Sequence, residues 1–314
     1  MRRALARLGA RVLVPVAVGL SIIGVLLGFG DFGRIVHFVS AFHLLTLVPI
    51  ALAILGYEAV RFVQWLYLLR KLGITLPLRT VLFAYSIGET TKYSPVGNYV
   101  PNYILHRSRQ ADFGLSSAAT TYIPVMEVAV CLVVVVVIGV GAWTPFVRPL
   151  IIIGLAVFGV VLWLIHRFHV HPRAPRWIQQ RQTLIEEIRN FREGAAGLLN
   201  PPVLITTALL TLVYLGLAGA AFYQVIVGLG VHGFAYEEAL SAFCFALAFS
   251  LIVPLPTDIG SIEISGTGAL IALGMPKHEA VGVMLVNRVL TLGLALLIAV
   301  IMAAILRSEL RRAL

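Results

Sequence analysis

The sequence predicts an all-α polytopic membrane protein of about six spanning helices plus two broken re-entrant helical hairpins, set in inverted-topology repeats. Three observations carry that class. Hydrophobic residues make up 60% of the 314 residues and charged residues only 12%, whereas a soluble domain carries about 25% charged residues. The apolar residues come in runs of about 20 or more, the length a helix needs to cross a bilayer. One order of landmarks also occurs twice along the chain. Such a composition excludes a water-soluble enzyme or a DNA-binding domain, so the net charge of +10 reads as charge at a membrane surface, not as a nucleic-acid footprint. Cys131 and Cys244 lie in apolar runs and read as small core residues.

Six runs are long enough to span: 11–30, 42–68, 116–142, 146–168, 201–229 and 278–306. The first follows Arg2, Arg3, Arg7 and Arg11 as a signal peptide would. No small-x-small cleavage site follows it, so it is expected to stay as an uncleaved helix. Two further stretches, 79–106 and 236–273, are interrupted near their middles. The first holds Lys92-Tyr93-Ser94-Pro95-Val96-Gly97-Asn98 and then Pro101-Asn102. The second holds Pro254-Leu255-Pro256-Thr257-Asp258-Ile259-Gly260. Each half is too short to cross, which suits a hairpin that enters and leaves on one side. Kinked spanning helices or short helix pairs are the alternative.

Residues 173–199 form the long polar stretch. Trp177, Leu184, Ile188 and Phe191 recur at helical spacing among Arg and Glu, as in an amphipathic helix on the membrane surface or a solvated linker. His166, His169 and His171 precede it without a carboxylate or Cys at ligand spacing, so the segment reads as basic and juxtamembrane, with no metal. No cofactor is expected.

Residues 42–142 and 201–306 repeat one plan. Gly73 to Pro95 is 22 residues and Gly230 to Pro254 is 24; Pro95 to Gly114 is 19 and Pro254 to Gly274 is 20; Gly114 to Glu127 is 13 and Gly274 to Arg288 is 14. Three helices separate the two starts. An odd number inverts the second unit relative to the first, the plan of many secondary transporters. With both termini in the cytoplasm, the inner loops carry eighteen Lys and Arg and the outer loops three, as the positive-inside rule requires. Hairpin 79–106 then enters from the cytoplasm and hairpin 236–273 from outside.

Charges at membrane depth cost several kcal/mol and face a cavity or a partner. The candidates are Glu58, Arg61, Glu89, Lys92, Glu127, Asp258, Glu263 and Arg288. Glu127 and Arg288 are repeat equivalents, each about 16 Å along its helix, and are expected to pair or to share one substrate cavity. Glu58, Arg61 and Gln64 share a helix face, and a Glu58–Arg61 pair is expected from the spacing of three. At the hairpin tips, marked by Pro95, Gly97, Pro254, Pro256 and Gly260, the residues Asn98, Asn102 and Thr257 offer hydrogen bonds, Lys92 offers a positive charge, and half-helix N-termini point inward. Asp258 and Glu263 suit a cation, a proton or a sugar hydroxyl. Substrate binding is expected from Lys92, Asn98, Asn102, Thr257, Asp258, Glu263 and Arg288; coupling or ion pairing is expected from Glu58, Arg61, Glu89 and Glu127.

These residues resemble the membrane domain of lysylphosphatidylglycerol synthases, a family that also includes stand-alone flippase-like membrane proteins of bacteria and archaea. The matching pieces are Lys92-Tyr93-Ser94-Pro95-Val96-Gly97, Gly114 and Glu127 in the first half, and Pro254-Leu255-Pro256, Gly260, Glu263, Gly274 and Arg288 in the second. The sequence departs from the family at Glu127-Val128, where a Glu-Arg pair is common, and at Pro95-Val96-Gly97, where Pro-Gly is common. No aminoacyl-transferase domain is present in the sequence, so a stand-alone member is expected. The resemblance implies lipid translocation between leaflets of a prokaryotic cytoplasmic membrane, with an anionic phospholipid or a polyprenyl-phosphate-linked lipid as cargo. No phosphate-binding loop of the G-x-x-x-x-G-K-[ST] kind occurs. Three other readings stay open: a secondary transporter of a small anion, a membrane enzyme of lipid-linked glycans, and an accessory partner of a glycosyltransferase or another lipid-modifying enzyme.

Overall fold

The structure, a computed structural model, describes residues 21, 24–91, 97–108, 111–139, 182–252 and 260–306. Every regular element among them is helical: α1 (Phe32–Ser40), α2 (Leu47–Lys71), α3 (Leu78–Thr91), α4 (Val100–Arg107), α5 (Phe113–Gly139), α6 (Gln182–Leu198), α7 (Pro201–Gly228), α8 (Tyr236–Ile252), α9 (Ser261–Ala272) and α10 (Lys277–Ile305). Of the six expected spans, four are present as helices long and apolar enough to cross: Leu44–Lys71, Phe113–Ile138, Pro201–Gly228 and Lys277–Met302. The expected span 146–168, His166, His169 and His171, and most of span 11–30 lie outside the described residues.

Each half runs long, short, short, long: α2, α3, α4, α5 and then α7, α8, α9, α10. The short helices have 14, 8, 17 and 12 residues, or about 21, 12, 26 and 18 Å at 1.5 Å per residue. All four fall short of the roughly 30 Å hydrocarbon layer. The four long helices present apolar side chains outward. Val48 and Leu52 on α2, Val133 and Val137 on α5, Ile205 and Leu209 on α7, and Leu297 and Val300 on α10 are all exposed. In water this band would be untenable; in lipid it is the expected exterior.

The two halves interlock. Helix α2 packs along α7, α3 of the first half packs against α10 of the second, and α8 of the second packs against α5 of the first. Small residues allow the close approach of α8: Ala239, Ala242, Ala246 and Ala248 are fully buried, as at lipid-embedded helix interfaces where van der Waals packing carries association. One core cluster joins Ile50, Ile54, Val134, Leu215, Phe222 and Leu270 across α2, α5, α7 and α9. A second gathers Trp65, Leu68, Val81, Leu105, Ile123 and Leu198. A polar clamp sits within the α2–α7 seam, where buried Gln64 donates from Nε2 to Thr211 Oγ1 at 3.0 Å and to the Thr207 carbonyl at 3.4 Å.

The repeat landmarks Gly73 and Gly230 end α2 and α7 in the same way. Both have positive φ, 77° and 76°. In each case the following N–H closes on the carbonyl five residues back: Ile74 to Leu69 at 2.9 Å and Val231 to Ile226 at 3.3 Å. This is the six-to-one closure of a helix that glycine stops in the left-handed region. The landmarks Gly114 and Gly274 are unlike each other. Gly274 terminates α9 at φ 95°. Gly114 lies in the first turn of α5, where a Cβ would collide with the Glu187 carbonyl of α6.

That contact defines the polar stretch. Its described part, α6, docks on the start of α5. Asp112 caps α5 by accepting the Leu115 N–H at 3.0 Å, and its second oxygen accepts from Asn190 Nδ2 at 2.8 Å. The Glu187 carboxylate accepts the Gly114 N–H, and Ala195 and Leu198 are buried beneath. An acidic group at a helix N-terminus is favoured by both the unsatisfied N–H groups and the macrodipole.

Candidate functional site

A cavity of about 250 Å³ lies between the two halves. Its wall takes residues from α2, α3, α4, α5, α7, α8, α9 and α10 and from the short turn before α4. Two ion pairs are built into that wall. Arg61 Nη2 lies 3.1 Å from Glu127 Oε1 and 3.5 Å from Oε2. Arg288 Nε lies 3.0 Å from Glu263 Oε1. Arg61 and Glu127 are each 14 residues into their helices, about 21 Å along them, and Arg288 is about 17 Å along α10.

The pairs are asymmetric in exposure. The side chains of Glu127 and Glu263 are 1% and 0% exposed, those of Arg61 and Arg288 25% and 14%. All four residues line the cavity, the carboxylates almost fully buried and the arginine side chains partly exposed. Glu263 is held at both ends. Its other oxygen accepts the Gly260 N–H at 2.6 Å, the half of a capping box that an N3 glutamate supplies. Gly260, at φ 102°, adopts a backbone open to glycine and so starts α9 at the angle that brings Glu263 under Arg288. Arg61 also stacks over Tyr214, 5.4 Å from the ring centroid, a cation–π contact that orients the fork without neutralising it.

The expected Glu127–Arg288 relation resolves into one cavity with two partners. Both residues line it, but Glu127 pairs with Arg61 and Arg288 with Glu263. Glu58, expected on Arg61, accepts the Tyr85 hydroxyl at 2.9 Å and is absent from this cavity's wall. Glu89 and Asn98 line the cavity. Gly97 is buried and its carbonyl accepts the Thr91 hydroxyl at 3.1 Å. Asn102, expected to meet substrate, is fully buried behind the wall. Its Oδ1 accepts from Thr120 Oγ1 at 3.0 Å, and Thr120 in turn accepts the Trp65 indole N–H at 3.1 Å, so its short side chain serves the α4–α5–α2 joint. Lys92, Pro95, Pro254, Pro256, Thr257 and Asp258 lie outside the described residues.

Several wall residues were not singled out by sequence reasoning. Tyr57 and Tyr214 each precede their glycine stop, Gly73 or Gly230, by 16 residues, so the repeat register was a usable signal. Their rings meet edge to face at 5.7 Å. Trp65 and Tyr85 stand on the wall with Thr120, Thr121 and Asn287. Pro124 lies inside α5 and on the same wall. It lacks the N–H that would close on the Thr120 carbonyl, which loosens α5 one turn before Glu127. Among the described residues no cluster of His, Cys, Asp and Glu could hold a metal ion.

The lysylphosphatidylglycerol synthase TM region, a family of membrane domains, matches residues 12–299. This chain belongs to that family. Membership accords with the four apolar helices long enough to span and points to a function related to membrane lipids. Among curated proteins none matches the chain.

Proposed function

We propose that this family member is a lipid translocase. It moves a lipid with a phosphate-bearing headgroup, an anionic phospholipid or a polyprenyl-phosphate-linked lipid, between the leaflets of a prokaryotic cytoplasmic membrane. One observation carries the reading: two Arg–Glu pairs built from four helices line one cavity between the halves, the arginine side chains partly exposed and the carboxylates buried. A phosphate leaving water needs charge-assisted donors, and guanidinium forks match its oxygens. The buried glutamates limit the cost of keeping both arginines at membrane depth. Glu89 on the same wall receives hydroxyl or amino groups of the headgroup.

In this reading the pairs α3–α4 and α8–α9 are re-entrant hairpins from opposite membrane faces, and the halves are inverted repeats. The mutual exchange of packing partners, α3 on α10 and α8 on α5, supports a two-fold relation. Rocking of one half on the other would open the cavity to each side in turn. The Lys and Arg distribution puts both termini in the cytoplasm, and the chain acts as a transporter, without covalent chemistry.

The test is reconstitution. The purified chain in liposomes should speed the flipping of fluorescent phosphatidic acid or a polyprenyl-phosphate probe, and Arg61→Ala and Arg288→Ala should each slow it at least tenfold. Flipping at the wild-type rate in both variants, with correctly folded protein, would sink the reading.

A further inference from the structure

A second cavity of about 240 Å³ lies between α2, α3 and α10. Its wall is of another kind: Leu55, Ala59, Phe62, Ile298, Ala299 and Met302 give it a hydrocarbon surface. Apart from Glu89, its polar groups are engaged locally. Ser86 donates to the Leu82 carbonyl of its own helix at 2.8 Å, and Glu58 accepts from Tyr85. Such a space offers water few partners.

Tyr85 and Glu89 line both cavities, so the polar and apolar chambers share one wall. Tyr85 is fixed in that wall on three sides. Its hydroxyl is tied to Glu58, its ring meets Phe62 of the apolar chamber at 5.3 Å, and it meets Trp65 of the polar chamber at 6.0 Å. At the rim of the apolar chamber Leu55 is 49% exposed on the apolar exterior of α2, which puts the chamber beside membrane lipid.

We propose that the apolar chamber holds the first part of one hydrocarbon chain of the same lipid whose phosphate occupies the polar chamber, and that Tyr85 and Glu89 mark the boundary between headgroup and chain. The inference rests on the translocase reading and names where its cargo leaves the protein for the bilayer. A chain in this chamber gains little over a chain in the membrane, since both surroundings are apolar. The chamber therefore acts by shape: it admits a flexible chain and fixes the depth at which the headgroup meets Arg61 and Arg288.

The test uses nanodiscs containing phosphatidic acid with a diazirine on the chain carbons next to the ester. Headgroup binding is followed separately, as the thermal shift given by ethyl phosphate, which has almost no chain. Illumination should label Phe62 and Met302. Met302→Trp and Ala299→Trp, which fill the chamber, should cut labelling of Phe62 at least tenfold and leave the ethyl phosphate shift intact, which also certifies their fold. Absence of label from Phe62 and Met302 while ethyl phosphate still binds would overturn the chamber and spare the translocase reading. Labelling of Phe62 that the filled variants do not reduce would also overturn it, since the label would then come from lipid around the protein. Failure of ethyl phosphate to bind the wild type would remove both.

Discussion

Glu263 offers the sharpest perturbation. It is 0% exposed, and its two oxygens serve two groups: the Gly260 N–H at 2.6 Å and Arg288 Nε at 3.0 Å. Glu263→Ala removes both at once. Breaking a buried pair from one side costs about 3–5 kcal/mol, because a charge is left without its partner. For a chain of this size each kcal/mol lowers the melting temperature by roughly 2 °C, so a fall on the order of 6–10 °C is expected. Glu263→Gln separates the contributions: the amide oxygen still accepts from Gly260, and only the charge is lost, worth about 2 kcal/mol. Adding Arg288→Met to Glu263→Gln should then restore stability, since a buried pair replaced by neutral groups is close to neutral overall. The assay is thermal unfolding of the detergent-solubilised protein, followed by tryptophan fluorescence. A Glu263→Gln melting temperature equal to the wild type, or a double variant that melts below Glu263→Gln alone, would refute the view that Glu263 exists to hold Arg288.

Other outcomes follow from the same contacts. Gly73→Ala and Gly230→Ala place a Cβ at φ 77° and 76° and should each destabilise by about 1–2 kcal/mol, additively, as read from single and double variants in thermal unfolding. Thr120→Val strands both the Trp65 indole N–H and Asn102 Oδ1 and should cost about 1–3 kcal/mol, with a change in the tryptophan emission maximum as Trp65 loses its hydrogen bond. Gly114→Val drives a side chain into the Glu187 carbonyl and should release α6 from α5, seen as faster trypsin cleavage after Arg189 and Arg192 with α2 and α7 still protected.

The architecture was legible because lipid imposes a simple rule. Long apolar runs become spans, four of them among the described residues, and the glycine stops Gly73 and Gly230 let the ends of α2 and α7 be set side by side from sequence. Side-chain partners were not legible. A separation of three along a helix favours Glu58 with Arg61, yet Arg61 meets Glu127, 66 residues away, and Glu58 takes Tyr85 from the neighbouring helix. Repeat equivalence brought Glu127 and Arg288 to one cavity but could not say that each already had a nearer partner of opposite sign. Asn102 shows the same limit from the other side. A polar residue near a hairpin tip looks like a ligand until the tertiary fold places Thr120 against it. Pro124 was visible as a letter, but only the cavity gives its missing N–H a meaning.

The interlocking of the halves also bears on how the chain is made. Helix α3 packs against α10, and 185 residues separate the end of the first from the start of the second. At about 5–20 residues per second of synthesis, α3 waits roughly 10–40 s for the surface that covers it. Through that interval α3 stands in the translocation machinery or the bilayer without α10, though Tyr85 can already meet Glu58, Phe62 and Trp65, and Arg61 can meet Glu127, all within the first half. Helices α3 and α4, each too short to cross the hydrocarbon layer alone, can wait at the interface between lipid and water until α10 arrives. The site is thus completed only after α10 has been made, and two half-chains expressed together should still find each other.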